Sequence, residues 1–183
     1  MSWVKNREEF KQAALSTARA VSKSPSLEST SQASSRPPSS SKISLQYPPR
    51  SSTQVDAWRG EGDFQAFWHT FHKEYSSLKM PKIARDFFIE LELCRVEMVG
   101  GEKFPGAKIN LSAYLNAQAK KGIDNKVPPF NPLAANLWLK QLNGESLSED
   151  SKNTVNAFLS SIPINIDDVG KELIKAQNSQ EDF

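Results

Sequence analysis

Apolar positions recur at helical spacing over most of this chain. Phe64, Phe67, Phe71 and Leu78 follow at intervals of three, four and seven, and Trp68 and Tyr75 widen the stripe, which predicts one broad buried helix face. Ile83, Phe87, Leu91, Cys94 and Met98 repeat the pattern in a second helix that Pro81 opens and Gly100 and Gly101 close, with Arg85, Asp86, Glu90, Glu92, Arg95 and Glu97 on its other faces. A third helix follows Pro105 and Gly106, packs Ile109, Leu111, Tyr114 and Leu115, and ends near Gly122. Asn131 and Pro132 form an N-cap and first helical position for a fourth, whose face is Leu133, Leu137, Trp138 and Leu142 and whose cap is Gly144. Ser148, with Glu149 and Asp150 behind it, starts a fifth that buries Val155, Phe158, Leu159 and Ile162 before Pro163. The last begins near Asn165 and uses Val169, Leu173 and Ala176.

The front of the chain reads differently. Arg7 to Val21 is rich in helix formers, with Phe10, Ala14, Leu15 and Ala18 at helical spacing, and predicts a short amphipathic helix. From Ser22 to Ser52 there are thirteen serines and five prolines, with few sizeable apolar groups beyond Leu27, Ile43, Leu45 and Tyr47. So little burial cannot offset about 1–2 kcal/mol per ordered residue, which predicts a flexible linker. Within it, Lys42 to Tyr47 alternates polar and apolar and predicts a short edge strand stopped by Pro48 and Pro49. The expectation is an all-α chain: an N-terminal helix at 1–21, a Ser/Pro-rich linker at 22–52, and a bundle of about five to six helices at 53–180.

Composition narrows the function classes. The 183 residues suffice for one ordinary domain with a tail. The formal charge of +2 supplies no field that would by itself draw a polyanion, although the first 55 residues hold eight basic against three acidic side chains. That basic front leaves a small nucleic-acid-associated adaptor as an alternative reading, but its charges stand singly, without the aromatic interleaving of a stacking groove. Nucleic acid is thus not the expected partner. No apolar run reaches membrane-spanning length, Lys5, Arg7, Glu8, Glu9 and Lys11 interrupt any secretory leader, and a single cysteine cannot form a disulfide framework, so the expected compartment is the cytoplasm.

Motif chemistry is sparse. Gly101-Glu-Lys-Phe-Pro-Gly106-Ala107-Lys108 approaches a phosphate-binding loop, but that loop needs Lys directly after the second glycine and then a hydroxyl; here stand Ala107 and Lys108, after a predicted helix and not a strand. His69 and His72 share one side of a helix near Glu74, yet a metal centre needs three or four converging ligands and Cys94, the one thiol, lies on a core stripe. Neither histidine can be paired with a nucleophile, so no catalytic residue and no cofactor is assigned to this chain. Glu92 and Arg95 at i, i+3 can pair along the helix surface for about 0.2–0.5 kcal/mol, or be desolvated against a partner with Arg95 as a rigid fork.

Around that pair runs Glu92-x-x-Arg95-Val96-Glu97-x-x-Gly100, five further residues, Gly106, then Asn110-Leu111-Ser112-Ala113-x-Leu115. This pattern resembles the N-terminal region of the CobT subunit of aerobic cobaltochelatase. The likeness extends to Arg7-Glu8-x-Phe10-Lys11, Arg19-Ala20, Pro48-Pro49-Arg50, Arg59-Gly60-x-x-Asp63 and Pro132-Leu133-Ala134. It implies a non-catalytic subunit of the ATP-dependent assembly that inserts cobalt into the corrin ring during cobalamin synthesis. The implied partners are a separate AAA+ ATPase subunit and a large chelatase subunit, which would handle ATP, magnesium and cobalt. The family's acidic linker and C-terminal adhesion-type domain with an Asp-x-Ser-x-Ser motif have no counterpart in these residues, so the resemblance covers the front third of such a protein and leaves room for a separately encoded C-terminal domain. The partner-binding residues it implies are Arg59, Asp63, Glu92, Arg95, Glu97 and Asn110.

Overall fold

The computed structural model describes residues 7–73 and 79–183. The described residues form seven α-helices: α1 (Arg7–Val21), α2 (Val55–Phe71), α3 (Lys82–Lys103), α4 (Pro105–Asp124), α5 (Pro132–Leu142), α6 (Glu149–Ser160) and α7 (Asp167–Ala176). Two three-residue strands, β1 (Glu28–Thr30) and β2 (Lys42–Ser44), lie between α1 and α2. The fold is all-α in substance, as the periodicity predicts. Tyr75, Leu78 and Glu74 fall outside the described residues. Two compact units are formed, one by Met1–Phe71 with Gly100–Tyr114, the other by His72–Val99 with Leu115–Phe183, so α3 and α4 each supply residues to both.

In the first unit α1 packs on α2. Leu15 and Ala18 of α1, Trp58 and Ala66 of α2, and Leu27, Ile43 and Leu45 form one buried cluster, against which Phe10, Ala14 and Val21 lie half-buried. The stretch expected to be a linker therefore contributes three core side chains. The physical reason is local anchoring. Buried Gln65 of α2 accepts the Ser44 N–H at 2.7 Å and donates to the Ser44 carbonyl at 2.8 Å, giving β2 the neighbour that a two-stranded ribbon lacks. On its other side β2 pairs in parallel with β1, Ile43 opposite Ser29. The edge strand expected within Lys42 to Tyr47 is thus formed over Lys42–Ser44. Farther along α2, Phe64 stacks on Tyr114 with ring centroids 5.0 Å apart, and Phe67 stacks on Phe104 at 5.7 Å.

Gly100 and Gly101 do not close α3, which runs on to Lys103. A Cβ on Gly100 would sit 2.2 Å from Cδ2 of Phe67, so this glycine admits an aromatic ring into the helix surface and is not a stop. Ile109, expected to pack, is 68% exposed. The buried face of α4 here is Leu111, Tyr114 and Leu115, and two residues of helix turn Ile109 about 200° away from Leu111.

The second unit is organised on α5. Asn131 accepts the Ala134 N–H at 3.0 Å, Pro132 follows at the first helical position, and Gly144 beyond the end holds φ 82°, so both expected caps of this helix are formed. Every residue from 134 to 140 is buried. α6 starts behind Ser148, whose Oγ accepts the Ser151 N–H, and it buries Val155 and Phe158 against α5. Phe87, Phe130 and Phe158 form an aromatic trio with centroids 4.7, 6.2 and 5.9 Å apart. α7 reaches α5 through Gly170, where a Cβ would meet Leu142 at 2.5 Å and Trp138 at 2.7 Å. That contact aims the neighbouring Val169 outward at 62% exposure, against the expectation that it packs. Ile83 is likewise exposed, because the first turns of α3 are solvated. No helix among the described residues is long and apolar enough to cross a membrane.

Candidate functional site

The six residues singled out by sequence gather into two groups of three. Arg59, Asp63 and Asn110 meet in the first unit. The crossing of α2 and α4 sets this up: a Cβ on Gly60 would lie 2.1 Å from the Asn110 carbonyl oxygen, so only glycine lets the two backbones come this close. One turn along α2, Asp63 Oδ2 then accepts a hydrogen bond from Asn110 Nδ2 at 2.8 Å. Burial raises the Asp63 pKa, and the Asn110 bond and the Arg59 charge offset this only in part. Arg59 holds its guanidinium 5.1 Å from the centre of the Phe10 ring, which also stacks on Trp58 at 5.3 Å. These groups open onto a cleft of about 310 Å³, walled by Phe10, Ala13, Ala14 and Leu45.

Glu92, Arg95 and Glu97 belong to the second unit and are buried. Arg95 donates through Nε to Glu92 Oε2 at 2.7 Å and through Nη2 to Glu92 Oε1 at 2.8 Å, with side chains 4% and 1% exposed. This corrects the surface pair: the two charges are desolvated inside the chain itself. His72 Nδ1 lies 2.9 Å from Glu92 Oε1, and Arg95 Nη1 donates to the Gln177 carbonyl just past α7 at 3.2 Å. Glu97 Oε2 lies 3.5 Å from Nζ of Lys140, itself 3.5 Å from Glu145. Burial works against the Lys140 ammonium, yet the Glu97 and Glu145 carboxylates outweigh it and hold its pKa above the ordinary value. Near the Glu97–Lys140 pair Cys94 donates to the Asn136 carbonyl at 3.6 Å, and burial pushes its thiol pKa up, which makes it an inert core group.

His69 and His72 serve separate units, and burial lowers the pKa of His69. Among the described residues no group of three His, Cys, Asp or Glu side chains is placed to hold a metal ion. The string from Gly101 to Lys108 is split by Phe104 between the end of α3 and the start of α4, and the Lys108 stem lies over Gly101. Sequence reasoning missed Lys140, which pairs with Glu97, Asn136, which accepts from Cys94, and Gln177, which accepts from Arg95, as well as Phe10 and Gly62, which shape the cleft. A signal existed for the first two: Asn136 and Lys140 are the only polar residues in the 134–140 run of an otherwise apolar helix.

The described residues thus make an all-α protein with a polar-floored cleft in its first unit and buried ion pairs in its second. The family model described as cobalamin biosynthesis protein CobT matches residues 4–183, and the chain belongs to that family. No curated protein and no solved structure matches it.

Proposed function

We propose that this chain is a non-catalytic subunit module of an ATP-dependent cobaltochelatase, acting in the cytoplasm by docking on the AAA+ ATPase subunit and the large chelatase subunit. The observation that carries the reading is the family match over nearly the whole chain. In this reading ATP, magnesium and the cobalt substrate are handled by the partners, and a separately encoded adhesion-type domain can complete the subunit. Arg59, Asp63 and Asn110 contribute directly, since Arg59 is exposed and the other two line an open cleft. Glu92, Arg95 and Glu97 contribute by fixing α3 to α5 and to the segment after α7 within the second unit, because a buried ion pair cannot reach a partner without unfolding.

The test is reconstitution. Purified chain mixed with the AAA+ and large subunits is expected to co-elute with them and to be required for cobalt insertion into the corrin substrate. Arg59→Glu is expected to weaken co-elution while leaving the helical circular dichroism signal unchanged. Cobalt insertion at full rate by the two partners without this chain sinks the reading.

A further inference from the structure

Gly62 has no packing reason to be glycine. Unlike Gly60 and Gly100, where an added Cβ would collide with a neighbour, Gly62 would place a Cβ in ordinary contact 3.9 Å from Leu45. It sits inside α2, where glycine is the costlier choice over alanine. What its missing side chain does is widen the cleft that Arg59, Asp63 and Asn110 line.

The polar groups facing that space are incompletely used. Half-buried Asp63 accepts one hydrogen bond, from Asn110, although a carboxylate has room for several. Arg59 rests on the Phe10 ring, and no acceptor among the described residues takes its N–H donors. A ligand group entering here meets an unfilled acceptor and unfilled donors together. An anion would be drawn to Arg59 but repelled by Asp63; a cation would be drawn to Asp63 but repelled by Arg59. A neutral group with acceptor and donor on one carbon suits both, with its alkyl stem against Ala13, Ala14 and Leu45.

We propose that the cleft beside Gly62 is a binding site for a primary carboxamide, whose oxygen accepts from Arg59 and whose NH2 donates to Asp63. The amide can belong to a polypeptide glutamine or to a small molecule. This concerns residues that the docking reading also uses, but its test contains no partner subunit, so either can fail alone.

The experiment is an NMR titration of the ¹⁵N-labelled full chain with propionamide, propionate and propylammonium at matched ionic strength, following the Gly62 and Asp63 amides. Propionamide is expected to give saturable shifts in about the millimolar range, the size of affinity so small a group can reach. The two charged analogues are expected to bind roughly tenfold or more weakly. Gly62→Leu, which fills the cleft, and Arg59→Ala, an exposed change that leaves the core intact, are each expected to abolish or sharply weaken the shifts. The peptide acetyl-Ala-Gln-Ala-N-methylamide separates the sources: tighter binding than propionamide assigns the amide to a polypeptide, and equal or weaker binding assigns it to a small molecule. Propionate or propylammonium binding as well as propionamide overturns the proposal, as do propionamide shifts that survive both substitutions, or none at all.

Discussion

Arg95 grips both oxygens of Glu92 from one turn farther along the same helix, and its remaining Nη1 reaches the Gln177 carbonyl 82 residues away. A local i, i+3 pair is thereby turned into a tie between α3 and the segment that follows α7. With both side chains buried, the attraction is strong only as long as each charge keeps its partner.

Arg95→Ala is expected to destabilise the chain by about 3–5 kcal/mol, because it strands the Glu92 carboxylate beside His72 alone. Arg95→Lys recovers part of this loss, since an ammonium cannot form the two parallel bonds. Urea unfolding of the purified variants measures both. Wild-type midpoints for Arg95→Ala would show that the pair is not buried as described.

Glu97 and Lys140 are expected to be strongly coupled. Glu97→Gln and Lys140→Met, made singly, each leave one buried charge without the other and destabilise the fold, whereas the double variant costs less than the sum. A double-mutant cycle by denaturant unfolding is expected to give about 1–3 kcal/mol of coupling. Additive losses would remove the pair from the account of the core.

Three glycines of two helices should respond with opposite signs. Gly60→Ala and Gly100→Ala drive a Cβ to 2.1 Å from a carbonyl oxygen and 2.2 Å from an aromatic ring carbon. Each is expected to cost about 1–3 kcal/mol or more through forced displacement. Gly62→Ala meets no such obstacle and is expected to stabilise by up to about 1 kcal/mol. Thermal melts of the three variants side by side make the comparison, and a loss on Gly62→Ala would contradict the ordinary contact with Leu45 described there.

Burial holds the His69 pKa below its ordinary 6.5, partly offset by a backbone hydrogen bond at Lys42. Between the folded value and 6.5 the unfolded chain binds more protons than the folded one. The contribution is therefore fully present above 6.5 and is lost as pH falls through the lowered folded pKa. His69→Gln removes this dependence. Its stability is expected to fall less than that of the wild type between about pH 7.5 and about pH 5, and parallel losses would place His69 in solvent.

Helix existence was readable because its causes are local: the spacing of apolar residues, Asn131 before Pro132, Ser148 before two acids. The buried ion pairs were not, because a charge in a sequence ordinarily marks a solvated face, and what overrides that rule lies far along the chain, Lys140 for Glu97 and Gln177 for Arg95. Glycine misled for a similar reason. Gly100 reads as a helix stop when only its neighbours in sequence are visible, and as a close contact once Phe67 is. In the candidate site, Arg59, Asp63 and Asn110 were found through resemblance, while Gly62 and Phe10 could be recognised only when the cleft was in view.

The Gln65 contact with Ser44 has a consequence for the serine-rich stretch as a whole. Where serine follows serine, every offset presents nearly the same groups, and such a tract would slide among equivalent pairings. One amide engaging both the N–H and the carbonyl of a single serine, next to the fully enclosed Ile43, removes that degeneracy and gives a repetitive segment one address on the protein.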